Sequence, residues 1–416
     1  MNRFIIKALG CKVSQYDAQR LADSLLEVGF ESTEDEPDLF ILNSCSVTGR
    51  ASQKTRQALH AARRKWPRAK IILAGCEAKL REVVNEIGTD VDAMLKPACE
   101  SAELKNILRL LGFNFVDAFE RRDSVSSDHR PNRTRAFLKI QDGCDHFCSY
   151  CIVPHLRGRE RSKSFVDALA EARKIVSAGH IEIVVTGIHL GRFAGGVVNF
   201  LRELEKIDSL RRIRLSSMEP LEVDDNLLEW MANSPKACNH LHLPLQAGSD
   251  LILKAMNRPY DTSHFSRIVD RARKILPDLG LTTDIIVGFP GETDEVFTRS
   301  LDYIRSAQFS KIHIFSFSPR KGTPAANFPG QIPNAVKHER SKAVQSIWNA
   351  SAREFHSRFV GRHFEVLWET SADGYWRGLS REYVACKIHD DGANRKNTFG
   401  SFKVVSFDSE EVLVEE

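Results

Sequence analysis

The 416-residue sequence lacks any uninterrupted apolar run near the ~18–20 residues that a membrane-spanning helix needs, and it lacks internal repeats of solenoid length. Its opening, MNRFIIKALGC, holds an apolar stretch too short for a secretory leader and no small-residue cleavage site. A cytoplasmic location with no membrane partner is therefore expected. Neither charge sign dominates: the formal net charge is +4, which permits a nucleic-acid partner without arguing for one. The cysteines do not look like a covalent framework. There are nine, an odd number at uneven spacing, and disulfides are rare in a reducing compartment, so metal ligation or isolated buried thiols are the readings left. The chain is longer than one core usually serves, which implies two or three domains.

What is present is an alternation of strand and helix. RFIIKAL, LFILNSC and AKIILAGC read as strands, with helical periodicity over 17–28 and in SQKTRQALHAARRKW. Repeated strand–helix–strand units imply a parallel sheet with right-handed crossovers, here an amino-terminal α/β domain over 1–118. Cys11, Cys45 and Cys76 each come just after one of these strands. Carboxyl ends of parallel strands share one sheet edge, where ligands bind, so three cysteines distant in sequence are placed to meet. The polar, turn-rich stretch 121–135 reads as a linker. Beyond it AFLKIQ, IEIVVTG, RRIRLSS, HLHLPL, LTTDIIVGF and KIHIFSFS alternate with helical segments. Six such units suit a partial (β/α)6 barrel over 130–355. Residues 335–358 read as one basic amphipathic helix. From 359 to 416 short β runs (HFEVLWE, YVACKIH, FGSFKVVSF, EEVLVEE) imply a small all-β, OB-like barrel.

The segment GCDHFCSYC places Cys144, Cys148 and Cys151 at x3-x2 spacing directly after the first strand of the central domain. Thiolates are preferred ligands of iron–sulfur clusters. Three close cysteines hold three corners of a 4Fe–4S cubane and leave the fourth iron open to the amino and carboxylate groups of S-adenosylmethionine. An electron passed to the sulfonium then breaks a C–S bond and releases a 5′-deoxyadenosyl radical. Spacing alone also admits a structural zinc site completed by His146 or His155. The x3-x2 pattern on a strand-end loop, with Tyr150 just before the third cysteine, favours radical chemistry.

Long phrases carry a resemblance over most of the chain: LGCKVSQYDAQ, NSCSVTGRASQKTRQ, LAGCEAK, GCDHFCSYCIVPHLRGRERS, VVTGIHLG, RLSSMEP, HLPLQAGSD, DIIVGFPGETDE and FSFSPRKGTPA. In these the sequence resembles the methylthiotransferase family of radical S-adenosylmethionine enzymes, and within it the bacterial type that modifies threonylcarbamoyladenosine in tRNA. The resemblance implies an amino-terminal domain, a partial barrel and a TRAM-like β-barrel that contacts RNA. It implies that Cys11, Cys45 and Cys76 bind a second, auxiliary 4Fe–4S cluster holding sulfur for transfer. It also implies that one S-adenosylmethionine supplies the methyl group while another generates the radical that takes hydrogen from C2 of the adenine. The expected partners are tRNA and an electron donor such as flavodoxin or ferredoxin. Related substrates, isopentenyladenosine in tRNA or an aspartate of a ribosomal protein, stay open, because the cysteine chemistry does not choose between them. A non-catalytic, zinc-dependent RNA-binding protein is the rival from another class. Ser14, Ala247 and Phe317 stand where the family usually carries Asn, Ser and Tyr; Ser14, beside a proposed ligand, matters most, since groups that hydrogen-bond around the ligands tune a cluster.

For S-adenosylmethionine itself the candidates are polar residues near strand ends: Thr186, Ser217, Glu219, Gln246 and Asp284. Each could instead cap a helix or support a turn. GFPGET at 288–293 reads as a strand-to-helix turn with Glu292 and Thr293 near the helix start. The basic run 54–70 and the segment HLRGRERSK (155–163) are candidate phosphate contacts, as are Trp376, Arg377, Arg381 and Tyr383 for RNA, although solvated helix faces and barrel packing explain them as well. Cys99, Cys238 and Cys386 read as ordinary thiols.

Overall fold

The computed structural model describes residues 2–80, 90–115 and 134–416. Most of the linker expected over 121–135, and the domain limits expected at 118 and 130, lie outside the described residues. By contact the chain divides into two compact units. The amino-terminal residues join 142–160 and 318–326 in the first; 161–317 and 327–416 belong to the second, together with the strand that precedes 142.

The first unit is built on five parallel strands: β1 (Arg3–Ala8), β2 (Glu31–Ser32), β3 (Leu39–Ser44), β4 (Lys70–Gly75) and β5 (Ala93–Leu95). They lie in the order β2-β1-β3-β4-β5. Strict alternation along β3 explains the layers. Leu39 and Ile41 face one side with Leu21, Leu25, Leu104 and Leu108, whereas Phe40 and Leu42 face the other with Leu59 and Ala62. A strand covered on both faces reads as a continuous apolar run, and each such side chain contributes about 1.5–3 kcal/mol on burial. The covering helices are α1 (Lys12–Glu27) and α2 (Gly49–Lys65). The first begins earlier than the expected residue 17, with Val13 and Tyr16 already on its buried face and Cys11 at the N-cap position without a side-chain capping bond.

The second unit opens with β6 (Arg135–Lys139). After the short β7 (Gln141–Asp142) and β8 (Arg161–Ser162) come β9 (Glu182–Thr186), β10 (Arg212–Leu215), β11 (His240–His242), β12 (Gly280–Val287) and β13 (Lys311–Ser316). Two parallel sheets, β10-β9-β6 and β11-β12-β13, are joined by parallel bridges Ile213–Ala237 and Ser217–His242. The six strands thus form the expected partial barrel. Helix Asn334–Ser357 follows, then a closed barrel of β14 (His363–Ala372), β15 (Tyr375–Ser380), β16 (Ala385–His389), β17 (Phe399–Phe407) and β18 (Glu411–Glu415). Its core of Phe364, Val366, Trp368, Trp376, Val404 and Val414 is closed at one side by Phe355 and Phe359. No helix among the described residues is long and apolar enough to cross a membrane.

Within this unit the small barrel is locked to the central strands. Arg212 and Arg214, both fully buried on β10, share Glu182 on β9 at 3.3 and 2.8 Å. They also donate to the carbonyls of Leu379 (3.0 Å) and Ser380 (2.9 Å). Arg135 forks onto Glu369 at 2.7 and 3.2 Å, and Tyr383 stacks on His240 with centroids 4.3 Å apart. Burial would raise the Glu182 carboxyl, but Arg214, Arg212 and Arg135 override it and hold it at about 2. The RNA-contact reading of the barrel residues changes accordingly. Tyr383 and Arg381, which donates to Ala237 O at 3.4 Å, serve the docking; Trp376 is in the barrel core, and Arg377 lies 3.7 Å from Glu411.

Candidate active site

The strand order of the first unit reverses direction between β1 and β3, and open α/β sheets bind ligands outside the carboxyl ends of strands at such a switch point. Cys11 follows β1, Cys45 follows β3 and Cys76 follows β4, so all three occupy that edge. Two glycines make the approach possible. Gly10 has φ +137°, and a Cβ there would lie 2.5 Å from Cys45 Cβ. Gly75 has φ +88° and would meet Ser44 O at 2.5 Å. Ser14 ties the same loops together: Asn43, on β3, donates to Ser14 O at 2.5 Å and to Ser14 Oγ at 3.2 Å.

Burial, with Cys11 and Cys76 nearby, pushes the Cys45 thiol up to about 12. Burial likewise raises Cys76, partly offset by Arg157. Two buried thiols raised in this way resist ionising together unless a cation joins them, which is the donor chemistry of a thiolate-bound metal group. Ser46 Oγ, fully buried beside Cys45, has no hydrogen-bond partner among the described residues. These residues fit a soft, cationic cluster.

The other cysteine set lies in the same unit. Cys148 is buried, Cys144 and Cys151 are half-buried, and the loop turns through Cys151 N–H to Cys148 O at 3.0 Å. The His146 N–H donates to Cys144 Sγ at 3.3 Å, the type of bond that stabilises a ligating thiolate.

The five polar candidates lie in the second unit, toward the carboxyl ends of its strands. Three are linked. Ser217 bridges to His242, His242 Nε2 is 3.3 Å from Asp284 Oδ1, and Gln246 N–H donates to Asp284 O at 2.8 Å. Gln246 adopts φ +68°. Glu219 faces Arg258, and Thr186 is buried at the end of β9, its carbonyl accepting from Ile140 N–H at 3.0 Å. His313, paired across from Asp284, completes a His242–Asp284–His313 group that no single motif announced. Thr293 caps the helix Asp294–Ala307, and Glu292 accepts the Gly288 N–H at 2.6 Å, as the GFPGET turn predicts.

A family model described as the Radical SAM superfamily matches residues 138–304, and one described as Uncharacterized protein family UPF0004 matches residues 3–95. The chain is 36% identical, over 98% of its length and 95% of the relative, to the threonylcarbamoyladenosine tRNA methylthiotransferase MtaB of Thermotoga maritima. It belongs to the radical S-adenosylmethionine methylthiotransferase family. The protein of the same name from Bacillus subtilis is 34% identical over 90% of this chain and 88% of its own. A tRNA-2-methylthio-N(6)-dimethylallyladenosine synthase of Cereibacter sphaeroides is 37% identical over 93% and 92%. Among solved structures the radical S-adenosylmethionine methyltransferase TsrM of Kitasatospora setae aligns with a TM-score of 0.58 at 15% identity, covering 78% of this chain and 77% of that one, a likeness of fold. Membership makes this methylthiotransferase a transferase that uses S-adenosylmethionine and a 4Fe–4S cluster.

Sequence reasoning missed Arg157. Read as a candidate RNA-backbone contact, it is instead buried and ion-paired to Asp17 and Asp142. In the basic run, Arg63, Lys70 and Lys65 likewise have acidic partners, Asp92 for the first two and Asp35 for the third. The acids come from other parts of the chain, so a local scan for compensating charge does not find them.

Proposed function

We propose that this enzyme inserts a methylthio group at C2 of N6-threonylcarbamoyladenosine, next to the anticodon of tRNA in the cytoplasm, using two 4Fe–4S clusters. The observation that carries the reading is the gathering of Cys11, Cys45 and Cys76 at the switch point of a sheet whose unit also holds the Cys144, Cys148 and Cys151 loop. When bound, the clusters supply the electron that cleaves S-adenosylmethionine and a coordination position for the transferred sulfur. The chain's own residues bind and orient. Cys144, Cys148 and Cys151 hold the first cluster; Cys11, Cys45 and Cys76 hold the auxiliary one. Thr186, Ser217, Glu219, Gln246 and Asp284 hold the methionyl, ribose and adenine parts of S-adenosylmethionine at the strand ends. A flavodoxin or ferredoxin delivers the electron.

Two relatives named for threonylcarbamoyladenosine support the substrate, at 36% and 34% identity. The relative named for dimethylallyladenosine, at 37%, favours a second reading in which that nucleoside is modified. Anaerobic purification with iron and sulfide quantitation, combined with mass spectrometry of tRNA nucleosides from a deletion strain, separates them. About eight iron and eight sulfide per chain, with loss of methylthio-threonylcarbamoyladenosine, is the expected result. Loss of the dimethylallyl nucleoside's methylthio group moves the substrate. About four iron removes the auxiliary cluster from the mechanism.

A further inference from the structure

The helix Val153–Arg157, which follows Cys151, connects the two cysteine sets. Ile152 and Leu156 pack on Cys76, and Lys79 Nζ, in the turn that begins at Cys76, donates to Leu156 O at 2.7 Å. At the end of this helix the Arg157 side chain is 2% exposed, with Asp17 and Asp142 at 6% and 9%. Its Nη1 donates to both Asp142 oxygens at 3.0 and 3.1 Å, and its Nη2 to Asp17 Oδ2 at 2.9 Å. Asp142 in turn accepts the Gly143 N–H at 2.9 Å, immediately before Cys144. Asp17 belongs to α1, the helix capped by Cys11. One guanidinium therefore holds both the entry to the first cysteine loop and the helix that presents Cys11.

Its charge balance is unusual. Two carboxylates already face one cation in a buried site, and its side chain also hydrogen-bonds the Cys76 sulfur. A structural ion pair needs only its carboxylates. A guanidinium that also reaches ligating sulfurs offsets negative charge added at them, and the net charge around a cluster sets its potential.

We propose that Arg157 is the positioning residue of the auxiliary site: it clamps the Cys144 loop to α1 through Asp142 and Asp17, and its positive charge raises the reduction potential of the cluster held by Cys11, Cys45 and Cys76. The inference rests on the two-cluster reading above. Its test is a redox titration of the reconstituted holoenzyme followed by electron paramagnetic resonance, with iron and sulfide counted on each sample. Arg157→Gln, which removes the charge, shifts the auxiliary midpoint negative by at least a tenfold change in the reduced-to-oxidised ratio at fixed potential, ~59 mV for one electron. Arg157→Lys restores most of that shift while losing the fork that holds both carboxylates. Asp17→Asn removes a counter-charge and leaves the cation, so it shifts the midpoint the opposite way. Opposite signs for Arg157→Gln and Asp17→Asn, with rescue by lysine, support the assignment. An unmoved potential in Asp17→Asn, or shifts of the same sign, overturns it, and Asp17→Asn decides alone if Arg157→Gln fails to retain iron. Failure of the two-cluster reading shows separately, as about four iron in the unsubstituted enzyme.

Discussion

Two buried arginine networks, one in each unit, use the same pair chemistry to different ends. On β10, Arg212 and Arg214 share Glu182 and turn their remaining donors to carbonyls of Leu379, Ser380 and Arg381. The hydrogen bonds there go to carboxylate and peptide oxygens, which is what a lock between two structural layers requires, while the Cys238 thiol beside Arg214 belongs to neither cysteine set. In the first unit Arg157 is held by Asp17 and Asp142, and its side chain also hydrogen-bonds the Cys76 sulfur. The difference teaches that burial of a charge does not by itself separate architecture from chemistry. What the neighbouring sulfur does is what separates them: Cys238 beside Arg214 lies outside both cysteine sets, whereas Cys76 beside Arg157 is a proposed cluster ligand, so that network is sensitive to what binds.

The sharpest break of the comparison is Gly10→Ala. Its new Cβ would lie 2.5 Å from Cys45 Cβ at a φ that L residues rarely adopt, so iron falls from about eight to about four per chain. The unfolding midpoint of the small barrel stays put. Iron retained in full would separate the Cys45 position from metal binding.

Next is Glu182→Gln, which takes the carboxylate from Arg214 and leaves Arg212 with Glu365 at 3.0 Å; it costs about 3–5 kcal/mol in denaturant unfolding while leaving the iron count unchanged. Loss of iron at unaltered stability would erase the distinction between the networks. The acid limb of the stability curve follows from the same carboxylate. Its folded pKa of about 2 lies below the unfolded 4.5, so the folded state binds fewer protons between those values. The contribution, about 3 kcal/mol at ~1.4 kcal/mol per unit, is fully present above pH 4.5 and is lost as pH falls toward 2. Fluorescence of Trp368 and Trp376 in acid titration follows it, and Glu182→Gln flattens that limb.

The smallest effect is at Ser14. Ser14→Ala removes the hydroxyl that Asn43 contacts at 3.2 Å but leaves the stronger bond to the Ser14 carbonyl. The expected loss is about 0.5–1.5 kcal/mol in thermal unfolding, with the auxiliary cluster still assembled. A collapse of iron content would show that the serine, placed where the family usually has asparagine, holds the site itself.

Much of this was legible in the sequence, for identifiable reasons. Leu39 to Leu42 announce a strand buried on both faces, and the x3-x2 spacing of Cys144, Cys148 and Cys151 needs no distant residue to be read. The start of α1 was not legible, since its N-cap position holds Cys11, which makes no side-chain capping bond and is not a usual capping residue. Arg212 and Arg214 read as ordinary strand residues because Glu182 and the carbonyls that bury them come from other strands. Arg157 read as a surface cation for the same reason, its partners standing at Asp17 and Asp142.

The sequence by itself therefore determined which atoms are available: six thiols in two sets, the strand periodicities that bring three of them to one sheet edge, and the family to which the chain belongs. Only the tertiary structure decided which charges are buried, which sulfurs share an arginine, and which barrel residues dock rather than stand free. Residue type and local period are properties of neighbours along the chain, but Coulomb energy and desolvation depend on distances between groups far apart in it.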